Sequence, residues 1–218
     1  MDYYGTEKDE EKLYIFLELV IHGTVEEAYK SCPFKEHQVS QDTRQILLGL
    51  KYLHSCNVIY RDLKCANILV NEFGKIRLAD FGLSRFIEDA NPLKPGSRST
   101  LWMAQEVANP KSAGYDFRAD TWSIGCPVVE MVTRKYPQYN AKNAVGLELA
   151  IRKGKGPIIP DSLSHHLKDF INKCLQPDPK DRPTAAELLA HPFVNESSCT
   201  QPDLIELLSG ERALIIKP

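Results

Sequence analysis

Apolar residues recur along this chain in two rhythms. From Lys12 to Val20, aromatic and branched side chains crowd a short run, which predicts a strand. The polar run Glu7 to Lys12 predicts the turn of a hairpin whose other arm holds Tyr3-Tyr4. Val39, Thr43, Ile46, Leu47, Leu50 and Leu53 then recur at helical spacing and predict a helix over Val39 to His54 with one buried face. Asn67 to Asn71 and Lys75 to Ala79 read as short strands around the turn Asn71-Glu72-Phe73-Gly74. Residues 86–100 hold little apolar content, and Pro92, Pro95 and Gly96 break any regular element, so a mobile loop is expected there. Helical patterns follow over 116–134, 142–153, 163–175 and 184–190, the last started by Asp181-Arg182-Pro183-Thr184. The tail from Asn195 is polar, then amphipathic around Leu204 to Leu208. A few strands followed by many helices predict a helix-dominated α+β lobe.

Composition narrows the setting. The 218 residues suffice for one domain with a substantial core, and 43% hydrophobic with 26% charged residues is ordinary globular usage. A net charge of −2 gives no electrostatic footprint for nucleic acid or an anionic membrane, although a local basic groove stays open. Cysteines 32, 56, 65, 126, 174 and 199 form neither a Cys-x-x-Cys pair nor zinc-finger spacing with histidine, so reduced thiols are expected. The start, Met1 to Glu7, resembles neither a signal nor a transit peptide. Leu13 to Ile21 contains Glu18 and is too short to span a bilayer. These features predict a soluble, cytoplasmic protein.

The sharpest chemistry lies in Tyr60-Arg61-Asp62-Leu63-Lys64-Cys65-Ala66-Asn67, followed by Asp80-Phe81-Gly82 and then Trp102-Met103-Ala104-Gln105-Glu106. Each short motif alone is weak. In this order and spacing they resemble the catalytic loop, the magnesium-binding triplet and the end of the activation segment of protein kinases. The resemblance runs from near residue 3 to about 194 and implies a protein-kinase-like fold. It would comprise mainly the helical large lobe (21–194), a remnant hairpin and hinge of the small lobe (1–20), and a C-terminal tail (195–218).

The resemblance implies phosphoryl transfer from ATP with Mg2+, chemistry that rests on positioning and charge neutralisation. Asp62 would take the proton of the substrate hydroxyl and Lys64 would contact the same phosphate. Asn67 and Asp80 supply hard oxygens that suit magnesium. Lysine at position 64 implies serine/threonine specificity. Arg61 would bind a phosphorylated activation-segment residue, the candidates being Ser97, Ser99 and Thr100. Each of these three stands equally well as a polar loop residue. Leu17-Glu18-Leu19-Val20 resembles the hinge, with the backbone of Glu18 and Val20 pairing with adenine above Leu69; as side chains these residues fit plain core equally. Asp120, in Asp120-Thr121-Trp122-Ser123-Ile124-Gly125, would brace the catalytic loop, and Glu106 would pair with Arg182. Within the family, Leu13 to Val20, Lys64 to Val70 and His191-Pro192-Phe193-Val194 resemble plant MAP kinase kinase kinases, which implies a MAP kinase kinase as protein substrate.

The pattern is not complete. Only about a dozen residues precede the hinge, with no Gly-x-Gly-x-x-Gly loop, and Lys8 and Lys12 fall in the expected hairpin turn. Gly154-Lys155-Gly156 lies far downstream and reads as a loop. Tyr60 stands for histidine, Gln105 for proline and Arg98-Ser99 for Gly-Thr. Pro127 falls inside an expected helix at a cost of about 3 kcal/mol. The expectation is therefore a kinase domain without most of its small lobe. The alternative is a catalytically impaired, pseudokinase-like module that binds proteins.

Overall fold

The computed structural model describes residues 3–87, 100–109 and 115–195. The predicted hairpin is present, with β1 (Tyr3–Lys8) antiparallel to β2 (Leu13–Leu17). Its turn is tighter than expected: Asp9 Oδ1 accepts the N–H groups of Glu11 at 2.9 Å and Lys12 at 2.7 Å. Lys8 therefore ends a strand rather than lying in the turn. Both faces of the hairpin stay exposed, Tyr4, Ile15, Phe16 and Leu17 included.

The chain then enters a helical body. Helix α1 (Val25–Ser31) was not anticipated, although its signature is in the sequence. Thr24 and Glu27 form a reciprocal capping box, in which the Thr24 hydroxyl accepts the Glu27 N–H and the Glu27 carboxylate accepts the Thr24 N–H. Helix α2 (Glu36–Ser55) carries the predicted periodic face and buries Val39, Thr43, Ile46, Leu47 and Leu50. Asn57, at φ 58°, turns the chain into β3 (Val58–Ile59), which pairs with β6 (Arg85–Phe86). That pair was missed because two-residue strands carry no periodicity. The predicted hairpin of β4 (Ile68–Val70) and β5 (Ile76–Leu78) forms around Asn71, whose Oδ1 accepts the Phe73 and Lys75 N–H groups.

Helices α3 (Gln105–Ala108), α4 (Arg118–Thr133), α5 (Ala144–Arg152), α6 (His165–Cys174), α7 (Ala185–Leu188) and α8 (Pro192–Asn195) complete the described body. Helix α4 is its axis. It packs on α1, α2 and α6, and every residue from Ala119 to Met131 is buried. A helix buried on every face belongs in a core rather than at a surface. That packing carries Pro127, so the helix runs through the proline and stops only at Arg134, at φ 57°. Gly125 lets α6 approach closely, since a Cβ there would meet Leu175 and Cys174 at 2.9 to 3.0 Å.

Cys32, Cys56, Cys65, Cys126 and Cys174 are free thiols. No helix among the described residues is long and apolar enough to cross a membrane. The expected loop over 86–100 lies largely outside the described residues, as do Ser97, Ser99, the Arg98-Ser99 departure and the amphipathic tail. Thr100 is described and opens a 3₁₀ turn, Thr100–Trp102.

Candidate active site

Asp62 sits on an irregular segment between β3 and β4, so neither helix nor strand fixes it. Its position comes from local bonds. The carboxyl is buried, and Oδ2 accepts from Lys64 Nζ at 2.9 Å and from Asn67 Nδ2 at 2.8 Å. The same Asn67 amide also donates to the Asp62 carbonyl at 2.9 Å. Asn67 closes a 3₁₀ turn, Cys65–Asn67, whose last N–H bonds the Lys64 carbonyl at 2.9 Å. The segment thus folds back on itself and gathers the three predicted side chains, Asp62, Lys64 and Asn67, around one carboxyl oxygen.

Asp80 is brought to this cluster by the backbone, since the Ala79 N–H donates to the Asn67 carbonyl at 3.0 Å. Asp80 adopts a left-handed conformation (φ 56°, ψ 72°), and its Oδ1 accepts the Gly82 N–H at 3.3 Å. Tyr60 holds the same stretch from below. Its hydroxyl donates to the Ala79 carbonyl, its ring meets Phe81 edge-on at 5.3 Å, and its carbonyl accepts from Ser84 Oγ at 3.1 Å. Tyrosine at this position thus ties the stretch from Ala79 to Ser84 to the segment ahead of Asp62. Phe81 remains 45% exposed.

Arg61 is also left-handed, at φ 74°, a conformation that costs a non-glycine residue about 1–3 kcal/mol unless its surroundings enforce it. Asp120, in the first turn of α4, provides the enforcement. Its Oδ2 accepts the Tyr60 N–H at 2.8 Å and faces His54 Nε2 at 2.9 Å, while Oδ1 accepts the Arg61 N–H at 2.8 Å. Asp120 thus ties both N–H groups ahead of Asp62 to the start of α4. The Arg61 guanidinium lies over the Tyr115 ring at 5.3 Å with its Nε buried and without a partner. Burial lowers its ordinary value and the Arg85 charge pushes the same way, against Tyr115 and Asp120. A pair of cations with an orphaned donor is suited to an anion. Arg85, Tyr115 and His54 were not among the site residues read from the sequence.

Glu106 and Arg182 pair as expected. Both terminal guanidinium nitrogens reach the carboxylate, at 2.6 and 2.9 Å, and the arginine also donates to the carbonyls of Gln176, Pro177 and Arg118. It is buried over the Trp122 ring at 5.0 Å.

Between the hairpin and α1, the Val70 N–H bonds the Gly23 carbonyl at 3.0 Å and Thr24 bridges Leu69, which fastens the chain after Val20 onto β4. Glu18 Oε2 accepts from Arg77 Nε of β5 at 3.2 Å. Leu69 is half-buried between the buried Ile68 and Val70, so it turns to the face opposite theirs. Asn67, whose amide nitrogen is occupied by Asp62, and the exposed Asp80 carboxylate offer hard oxygens that would suit magnesium.

A catalytic loop folded around one aspartate, an Asp-Phe-Gly turn bonded to it and a buried Glu–Arg clamp define a protein-kinase large lobe. The chain matches the protein kinase domain over residues 1–194 and belongs to that family. Among its relatives, it is 47% identical over 202 residues to mitogen-activated protein kinase kinase kinase 1b of Physcomitrium patens, covering 93% of this chain and 26% of that protein. It is 49% identical over 193 residues to mitogen-activated protein kinase kinase kinase 1 of Arabidopsis thaliana, covering 88% and 31% respectively. With the Arabidopsis thaliana kinase YODA it shares 41% over 215 residues, covering 98% of this chain and 24% of the relative. The chain thus spans about a quarter to a third of the length of these curated relatives.

Proposed function

We propose that this chain is the catalytic portion of a MAP kinase kinase kinase-type serine/threonine kinase. It would transfer the γ-phosphoryl group of ATP to a serine or threonine hydroxyl of a MAP kinase kinase. The observation that carries this reading is the cluster of Asp62, Lys64 and Asn67 around one carboxyl oxygen, with Asp80 bonded to it through Ala79. Asp62 accepts the hydroxyl proton as the substrate oxygen bonds to the γ-phosphorus and the bond to the ADP oxygen breaks. Lys64 stands beside Asp62 and offers its ammonium to the phosphoryl oxygens in flight. Asn67 and Asp80 would hold Mg2+, which when bound neutralises charge on the phosphates. The backbone of Glu18 and Val20 would receive adenine, with Leu69 beneath it. Arg61 and Arg85 would receive a phosphate carried by Ser97, Ser99 or Thr100, which would order the segment before Trp102.

A thermal melt of the purified chain with and without Mg-ATP tests the reading. At 100 times the dissociation constant, a bound ligand adds about 2.7 kcal/mol of apparent stability. A shift that disappears in Asp80→Ala supports a nucleotide site, and phosphate transfer to a MAP kinase kinase completes the case. A clean melt without any shift at millimolar Mg-ATP overturns it for this chain. A second reading, a module that docks proteins without phosphorylating them, draws on the exposed faces of the β1–β2 hairpin and on exposed Phe81. Capture of a MAP kinase kinase by the chain, equal for Asp62→Ala and the unaltered protein and without transfer, would favour it.

A further inference from the structure

Glu130 lies near the end of α4, fully buried, and takes no part in the chemistry described above. Its carboxyl gathers donors from three separate parts of the chain. Oε1 accepts from Trp102 Nε1 at 2.6 Å and from the Cys65 N–H at 3.4 Å, and Oε2 accepts from the Tyr29 hydroxyl at 3.1 Å. Trp102 closes the segment that follows Thr100, Cys65 directly follows Lys64, and Tyr29 belongs to α1. We propose that Glu130 is a positioning residue that, as a carboxylate, locks the segment after Lys64 to the Trp102 turn and to α1. The proposal rests on the kinase reading only for its consequence, the alignment of Lys64 with the protein substrate.

The lock needs a carboxylate, because a protonated acid trades an acceptor site for a donor and weakens its oxygens as acceptors, while the Trp102 and Cys65 N–H groups can only donate. Burial pushes the Glu130 acid up to about 7, against the opposing effect of its three hydrogen bonds. The titratable groups that face it are Tyr29 and Glu26 of α1, Cys65 in the 3₁₀ turn and Cys126 on its own helix. Burial raises Tyr29, Cys65 and Cys126, so they stay protonated through neutrality. Glu26 is held low by Lys30 and Tyr136 despite partial burial, and stays ionised. The charge of Asp42 on α2 also acts on Cys65, and its own acid is pushed up to about 8 by burial. It must therefore be separated from Glu130 in any test.

Trp102 is a built-in reporter. The other tryptophan, Trp122, has a buried indole nitrogen without a partner, so Trp122→Phe removes its signal without breaking a hydrogen bond. The experiment follows Trp102 emission of the Trp122→Phe chain from pH 5.5 to 8.5, with no nucleotide present. It also follows amide exchange at Cys65, corrected for intrinsic rate. Expected is one sigmoidal emission change near pH 7, accompanied by weaker protection of the Cys65 amide on the acid side. Asp42→Asn should leave the emission change in place. Tyr29→Phe, which removes one hydrogen bond to the carboxylate, should move the midpoint upward, and Glu130→Gln should abolish it. Emission that stays flat across this range overturns the proposal in the Trp122→Phe chain itself, whether or not Glu130→Gln folds. A transition that vanishes in Asp42→Asn but survives Glu130→Gln overturns it as well. None of these readouts needs ATP, so a normal transition in a chain without phosphotransfer would leave the lock standing and refute only the kinase reading.

Discussion

Asp42 offers the sharpest test of how this core is built. It lies on the buried face of α2 with 1% of its surface exposed, and its Oδ2 has no hydrogen-bond partner. Burial pushes its acid from the usual 3.8 up to about 8. Between those two values the folded chain holds a proton that the unfolded chain releases. The contribution of Asp42 to stability therefore falls as pH rises from about 4 to about 8 and is constant above that. Each pH unit inside the window is worth about 1.4 kcal/mol. By pH 7, roughly three units into the window, the loss is about 4 kcal/mol, a large fraction of a domain's usual total of about 5–15 kcal/mol.

Asp42→Asn keeps the shape and removes the titration. At pH 7 the variant should melt higher than the unaltered chain by on the order of 10 °C, and the gap should close toward pH 4. Thermal or urea melts of both proteins at half-unit steps from pH 4.5 to 8.5 give the difference curve, in which the other titrating groups cancel. A flat difference curve, or a variant less stable at pH 7, would refute the claim that an uncompensated carboxyl is buried there.

Three further outcomes follow from the geometry. Glu106→Ala leaves the Arg182 guanidinium buried over Trp122 without its carboxylate and should cost about 3–5 kcal/mol in a denaturant melt. Gly125→Ala drives a methyl into Leu175 and Cys174 and should cost about 1–3 kcal/mol, relieved in part by Leu175→Ala. Asp62→Ala should abolish phosphotransfer while preserving the Mg-ATP melting shift, whereas Asp80→Ala should lose both; loss of the shift in Asp62→Ala alone would place the nucleotide against the wrong carboxylate.

The long elements and the linear motifs were legible in the sequence for a physical reason. Helices such as α2 and α6 bury one stripe, and a stripe leaves a period. The candidate catalytic motif is confined to eight consecutive residues, Tyr60 to Asn67. What escaped was what distance in sequence conceals. Glu130 meets Cys65 and Tyr29 across 65 and 101 positions, whereas the contact of Asp120 with Tyr60 and Arg61, about sixty positions away, was expected only through the family resemblance. No pattern marks a buried glutamate in a helix that is buried on every face. Arg85 carried no signal of its own, because one exposed arginine after an Asp-Phe-Gly turn resembles any surface charge until the fold sets it beside Arg61. Helix α1 could have been found, since Thr24-Val25-Glu26-Glu27 is a capping box ahead of a short apolar stripe.

The site also shows why a loop can do precise work here. Asp62, Lys64 and Asn67 lie on backbone without ladder hydrogen bonds, and two nearby residues, Arg61 and Asp80, hold left-handed conformations that a free loop would abandon. Rigidity must therefore come from outside the loop. It comes from α4, which stays rigid because it is packed on every side despite Pro127. Asp120 in its first turn fixes the backbone ahead of Asp62, and Glu130, nearly three turns later, takes the N–H just beyond Lys64. The two carboxyls hold this segment on either side of Asp62 and Lys64, which leaves those side chains little freedom except at their tips. Burying two acids in one helix is costly, and the cost is offset only if every oxygen finds a donor. Asp120 and Glu130 meet that condition with bonds to both of their oxygens. Asp42 does not, and it stands on a different helix with no share in holding the loop.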